Sequence, residues 1–360
     1  AIDLGATTLT DTTTVIGGAG TVNVLSLAGA GQALTFQDSA ASGAVTVTGG
    51  FALGRLDAAA GTFDLSLLSS GTVTGATTLA NSGTNTIGDA AGDVFSFNDG
   101  LMATAGSSVL FGNFGTAAKP ITLSSASLAG TTNIMTSGGN VTATDVDGGA
   151  AALTLDLGEG ELALASFANG GDIVLAEAGA TTITAGFGAA SLALNAGTRF
   201  TVGGDLAITG DLVNNGVDAF AVDGAMSAAN LDLNAGTSFL VGGDLAITGD
   251  FVNDGVDAIV VNGATSTTNL TSNAQNGVLV FNGATAVGNA LSITNGAPVG
   301  IGATALTFNG SLAVGAGGIA VAAQPIAVVF NNDVTVAGLT SLRNTAGATL
   351  GSGDGSGSGD

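Results

Sequence analysis

Leu192 to Ala225 reads LALNAGTRFTVGGDLAITGDLVNNGVDAFAVDGA, and Leu231 to Ala264 repeats it as LDLNAGTSFLVGGDLAITGDFVNDGVDAIVVNGA, offset by 39 residues without a gap. Self-similarity at a fixed period is the mark of a repeat architecture. A shorter period lies inside this one. Glycines stand at Gly204, Gly224, Gly243, Gly263, Gly283 and Gly302, in steps of 20, 19, 20, 20 and 19, so one unit is about 19 to 20 residues.

The columns around that glycine show what the unit is made of. Two residues before it stand Val202, Val222, Val241, Val261 and Phe281; four before it stand Phe200, Phe220, Phe239, Ile259 and Leu279. Four after it come Ile208, Ala228, Ile247, Thr267, Val287 and Leu306. Apolar residues at alternate positions mean strands, and their recurrence in register from unit to unit means that the units stack. Helical solenoids repeat at about 33 to 47 residues and use Ala, Leu, Lys and Glu runs, which this Gly-, Thr- and Asn-rich chain lacks.

The fold expected is all-β, a right-handed parallel β-helix with coils of about 19 to 20 residues. Each coil holds a few short strands turned by Gly, Asn and Asp, and each strand bonds to its equivalent one coil on. The hand follows from that of parallel crossovers in general. Roughly 18 coils at about 4.8 Å each would make a rod on the order of 85 Å long. Turn asparagines such as Asn262 and Asn282, or Asn195 and Asn234, are placed to stack in hydrogen-bonded ladders.

The register is tightest from Leu192 to Leu306 and looser before it, where Val45–Gly50, Gly71–Gly75 and Val94–Gly100 repeat the strand-and-turn pattern at variable spacing. Residues 1–350 therefore read as a single β-solenoid domain with irregular insertions. Residues 351–360, GSGDGSGSGD, read as a flexible tail or linker.

Composition narrows the functions available. Charged residues are 9% of the chain, against about 25% in ordinary globular domains, yet hydrophobic residues reach 46%, so the chain can bury a core. The net charge of −23 is opposed by only Arg55, Lys119, Arg199 and Arg343. No basic patch exists to neutralise phosphates, which argues against nucleic acid and anionic membranes as partners. Polar residues, Gly or Pro interrupt every apolar run, including Ile319–Phe330, so no transmembrane segment is expected. No basic segment followed by an apolar stretch reads as a secretion signal. The absence of Cys excludes disulfides and thiolate metal sites.

Repeats such as VGGDLAITGD with NNG or NDG, and the stretch SGTVTGATTLANSGTNTIGDAAGDVFSFNDGL, resemble the β-strand-repeat exoproteins related to filamentous haemagglutinin, which are large secreted adhesins. Similar Gly-Thr-Ala-Asn repeats occur in autotransporter passengers and crystalline surface-layer proteins. The resemblance covers most of the chain and implies a secreted β-helical shaft at the cell surface, used for adhesion, biofilm matrix or coating. The amino-terminal secretion domain of those haemagglutinins has no counterpart here.

With no His, Cys, Tyr or Trp, no Ser-His-Asp arrangement can be assembled, and any chemistry would rest on carboxylates. The clusters to weigh are Asp156, Glu159 and Glu161, and the repeated pairs Asp205 and Asp211 with Asp244 and Asp250. A glycosidase needs two carboxylates about 5 to 9.5 Å apart in a sugar cleft, which is usually lined by the Trp and Tyr absent here. The plainer reading of these acids is turn-forming or solvated Asp. Asp205 and Asp244 occupy equivalent positions, as do Asp211 and Asp250, so one face is expected to carry acidic columns that calcium could bridge. The nonapeptide calcium repeat is not matched. No catalytic residue and no cofactor is assigned, and calcium is the single ion the pattern suggests.

From Ala258 to Asn332 there is no charged residue, which reads either as a surface to be covered by self-association or as one kept wet by Thr, Asn and Ser. The sequence thus predicts a non-enzymatic extracellular structural protein, a rigid subunit of a surface or matrix fibre associating end to end. The alternative is the shaft or binding segment of a large secreted adhesin recognising a glycan or host protein. A surface-layer protein and a polysaccharide-acting enzyme come further behind.

Overall fold

A computed structural model of the chain describes residues 1–37, 43–273, 278–294, 305–321, 327–342 and 348–350. Every regular element among them is a β-strand, and the strands pair in parallel from coil to coil. The strands form a β-solenoid of about 16 coils, fewer than the sequence estimate. Two compact units share these coils, one comprising residues 1–184 and 188–190, the other 185–187 and 191–360. The expected tail at 351–360 lies outside the described residues.

In the second unit each coil has three sides. The first runs through Gly197–Val202, Val217–Val222, Gly236–Val241, Val256–Val261, Val278–Phe281, Ala305–Phe308 and Ala327–Phe330. The second begins with Leu206–Ile208, Met226–Ala228 and Leu245–Ile247, and the third with Asp211–Asn214, Asn230–Leu233 and Asp250–Asn253. Phe200 pairs with Phe220, Phe220 with Phe239, Phe239 with Ile259 and Ile259 with Leu279, as the column four residues before the glycine requires. Val202, Val222, Val241, Val261 and Phe281 form the second predicted column, and all are buried.

The turn glycine is fixed by backbone crowding. Gly243 N–H donates to Gly224 O at 2.9 Å, and a Cβ on Gly243 would stand 2.8 Å from the carbonyl of Gly224 and the nitrogen of Ala225. Stacked turns therefore approach closely enough to exclude any side chain.

The glycine period fails at its last step. Gly302 lies outside the described residues, and the glycine packed on Gly283 is Gly310, 27 residues on. Leu306 accordingly pairs with Leu279 in the column before the glycine, and the residue stacked on Val287 is Val314. An insertion between coils moved the turn without changing local alternation, so the count along the chain ran into the wrong column.

The first unit uses the same three-sided plan with longer strands that bend round corners. Leu101–Gly115 runs along successive sides, shifting register between Ala103 and Ser107 and between Leu110 and Gly112. Gly106 and Gly112 supply the positive φ of 67° and 113° near those bends. Leu4, Val24, Val47, Leu67, Ile87, Leu110 and Leu128 stack in one unbroken column. Gly71 sits between Phe51 and Phe95, whose ring centroids are 6.2 Å apart. The Phe51 ring occupies the space a Cβ on Gly71 would need, so the glycine makes room for two aromatic rings in one column.

Candidate functional site

The repeated aspartates singled out from sequence, Asp205, Asp211, Asp244 and Asp250, act as parts of the coil framework. Asp205 Oδ1 accepts a hydrogen bond from Ala225 N at 2.8 Å, and Asp244 Oδ1 accepts one from Ala264 N at 2.8 Å. Each thus ties its own turn to the coil above, satisfying a backbone N–H that the tight corner leaves without a strand partner.

Asp211 and Asp250 belong to a ladder. Asn230 Nδ2 donates to Asp211 Oδ1 at 2.8 Å, Asp250 N–H donates to Asn230 Oδ1 at 2.9 Å, Asn269 Nδ2 donates to Asp250 Oδ1 at 2.7 Å, and Asn289 Nδ2 donates to Asn269 Oδ1 at 2.9 Å. The two aspartates are two coils apart, as the repeat implies, with Asn230 between them. Asparagine is the residue that can bridge here, because it donates to the carboxylate below while offering an oxygen above.

Asp156, Glu159 and Glu161 do not converge. Asp156 ends a strand, pairing with Met135 and Glu177, while Glu159 and Glu161 are exposed beyond it. Glu161 N–H donates to Asn140 Oδ1 at 2.9 Å. Among the described residues no group of three acids is placed to hold a metal ion. An open groove on the first unit is lined by Leu27, Phe51, Ser70, Thr72, Val94 and Ser96 and contains no titratable side chain, so it offers no general acid or base.

The asparagine ladders expected at the turns are present. Asn282 donates to Asn262 at 2.8 Å, Asn309 to Asn282 at 2.7 Å and Asn331 to Asn309 at 2.7 Å. Asn195 and Asn234 share a second ladder but do not touch; Asn215 stands between them, bonded to each at 2.9 Å.

Two features escaped the sequence reading. Asn214 and Asn253 point into the core and are fully buried. Asn214 Oδ1 accepts from Val217 N at 2.9 Å while its Nδ2 donates to Val217 O at 3.0 Å and Ala235 O at 2.8 Å. Asn253 makes the same pair of bonds to Val256, at 2.9 and 3.1 Å. The signal was the three-residue spacing in Asn214-Asn-Gly-Val217 and Asn253-Asp-Gly-Val256, a side chain closing its own turn. The second feature is Asp232, central on the outer third side between Val213 and Val252. Burial raises its pKa above the ordinary carboxylate value, and the charges of Asp211, Asp254 and Asp250 add to the rise.

What this arrangement does physically is hold coils in register at the surface as the apolar columns hold them in the core. No helix among the described residues is long and apolar enough to cross a membrane.

No family model, no curated protein and no solved structure matches this chain. The β-solenoid is consistent with β-helical adhesin-like proteins in architecture.

Proposed function

We propose that this chain is a non-enzymatic extracellular structural protein, a stiff β-helical subunit of a surface or matrix fibre that associates end to end. The observation that carries the reading is the doubling of ladders. Phe and aliphatic columns run through the core, and amide ladders run along the corners with the same spacing, so successive coils are tied both inside and outside. Stability in such a stack is a sum of nearest-neighbour terms. A coil also offers the next one the same row of donors and acceptors that it uses on its other side, and strand addition is the interaction this geometry favours.

The side chains available support a mechanical role. Acids at the corners are engaged in turn and ladder bonds, and His, Cys, Tyr and Trp are absent from the sequence. The resemblance to haemagglutinin-related adhesins supports the second reading, the shaft or binding segment of a secreted adhesin that recognises a glycan or host protein. Calcium would act there as a bridge between acidic corners.

Electron microscopy of the purified protein with and without a calcium chelator tests the reading. Filaments that persist in chelator are expected. Isolated particles at every concentration would rule out end-to-end assembly and favour the adhesin reading, and filaments lost in chelator would make calcium part of the joint.

A further inference from the structure

The outward-facing residues of the solenoid are mostly small or polar. On the first unit they include Asn23, Thr46, Ser66 and Thr86, stacked in register. One side of the second unit departs from this. Leu240, Val260, Val280, Thr307 and Val329 stack on the outer surface of its first side, with Ala258 and Val278 stacked beside them. The strands here, such as Ala258-Ile-Val-Val261 and Val278-Leu-Val-Phe281, are apolar on both faces, the pattern of a parallel sheet that is covered on both sides. Their inner residues Ile259, Val261, Leu279 and Phe281 are buried in the core, whereas Leu240 is 38% and Val278 42% exposed.

The charge pattern says what covers this side. The corner column that borders it reads Asp223, Gly242, Asn262, Asn282, Asn309 and Asn331, so charge gives way to a neutral amide ladder where the apolar face begins. No charged residue occurs between Asp257 and Asp333. In a chain of net charge −23 the coils from Ala258 to Asn332 are where a second acidic chain meets no carboxylate, with Asp257 exposed at their near edge. A basic partner would be drawn instead to the acidic coils that precede them.

We propose that two copies of this chain pair side by side through the Leu240–Val260–Val280–Val329 face. Its columns have the same coil spacing in both copies, so the rows of one can settle between the rows of the other about a two-fold axis. Five coils of about 4.8 Å by a four-residue strand at about 3.3 Å per residue give a footprint on the order of 300 Å². A standard interface buries about 800 Å² per partner. The pairing is therefore weak and reversible for isolated chains, and it becomes firm where many copies are already aligned. It is independent of end-to-end joining.

The full chain has no cysteine, so one introduced thiol reports one position. Val280 lies in the middle of the five coils and is the residue closest to a two-fold axis through the centre of the face. With V280C, a short bis-maleimide should link two chains in high yield, and T46C, on the outer surface of the first unit, should link at least ten-fold less. Sedimentation velocity should show reversible dimers that strengthen with salt, as screening reduces repulsion between acidic coils. V260E with V280E should weaken them at least ten-fold. The milder V260T with V280T preserves β-branching if the charged variant fails to fold, and it should also weaken them. A wild-type chain that stays monomeric in high salt, or equal cross-linking from V280C and T46C, would overturn the proposal. Filaments without V280C cross-links would overturn side-by-side pairing while leaving end-to-end joining intact; cross-linked pairs without filaments would do the reverse.

Discussion

Asn282 donates its side-chain amide to Asn262 one coil away, and its own oxygen receives the amide of Asn309. The ladder therefore has a direction, with each residue donating one way and accepting the other. Asn282→Asp removes the donor and keeps the acceptor, so it should cost about 1 kcal/mol, the usual net worth of one hydrogen bond. Asn262→Asp keeps the only atom that Asn282 uses and should be close to neutral. Urea unfolding of the two variants compares them directly, and equal losses would mean that the ladder carries no directional bonding.

Phe239 is 1% exposed and stacks edge-on to Phe220 with centroids 5.1 Å apart and planes at 82°. Phe239→Ala should lower stability by about 3–5 kcal/mol, as large-to-small changes in packed cores do. Because coils depend on their neighbours, hydrogen exchange should accelerate most in Val217–Val222 and Val256–Val261, the strands on either side. A uniform rise across both units would contradict nearest-neighbour stability.

Gly243→Ala introduces a Cβ 2.8 Å from the Gly224 carbonyl, and neither backbone can move without disturbing the stack. A loss of about 1–3 kcal/mol is expected. Gly5 is the control, since a Cβ there meets nothing within 4 Å. Gly5→Ala should be neutral or stabilise by about 0.4–1 kcal/mol, through reduced freedom of the unfolded chain. Thermal midpoints of the two variants should move in opposite directions or differ clearly in size.

Asp232 has a pKa raised by burial first and then by Asp211, Asp254 and Asp250. The folded state thus holds the proton to higher pH than the unfolded chain does. The stability this gives is fully present below the ordinary carboxylate pKa and is lost as pH rises through the raised value. Asp232→Asn should therefore stabilise the protein at neutral pH and have less effect in acid. Denaturant titrations of both proteins across that range test the sign, and a benefit that grows on acidification would refute it.

Much of this structure was legible in the sequence. The alternation around Gly204, Gly224, Gly243 and Gly263 told which side chains face inward, because strand periodicity is local and successive Cβ atoms alternate across a strand. The stacking of Phe200 on Phe220, and of Asn282 on Asn262, followed from a repeat whose length barely varied. The candidate acids were also placed at equivalent positions correctly, two coils apart.

What the sequence determined by itself is therefore the strand, its buried face and the coil as the repeating unit. Tertiary structure decided which coil meets which. Only the fold shows that Gly310 packs on Gly283, that Asn230 separates Asp211 from Asp250, that Asn214 closes a turn inside the core, and that Leu240, Val260 and Val280 share one outer face. The physical reason is that contacts between coils depend on the accumulated length of the turns between them. A turn of different length leaves the alternation of each strand unchanged while it shifts every partner that follows.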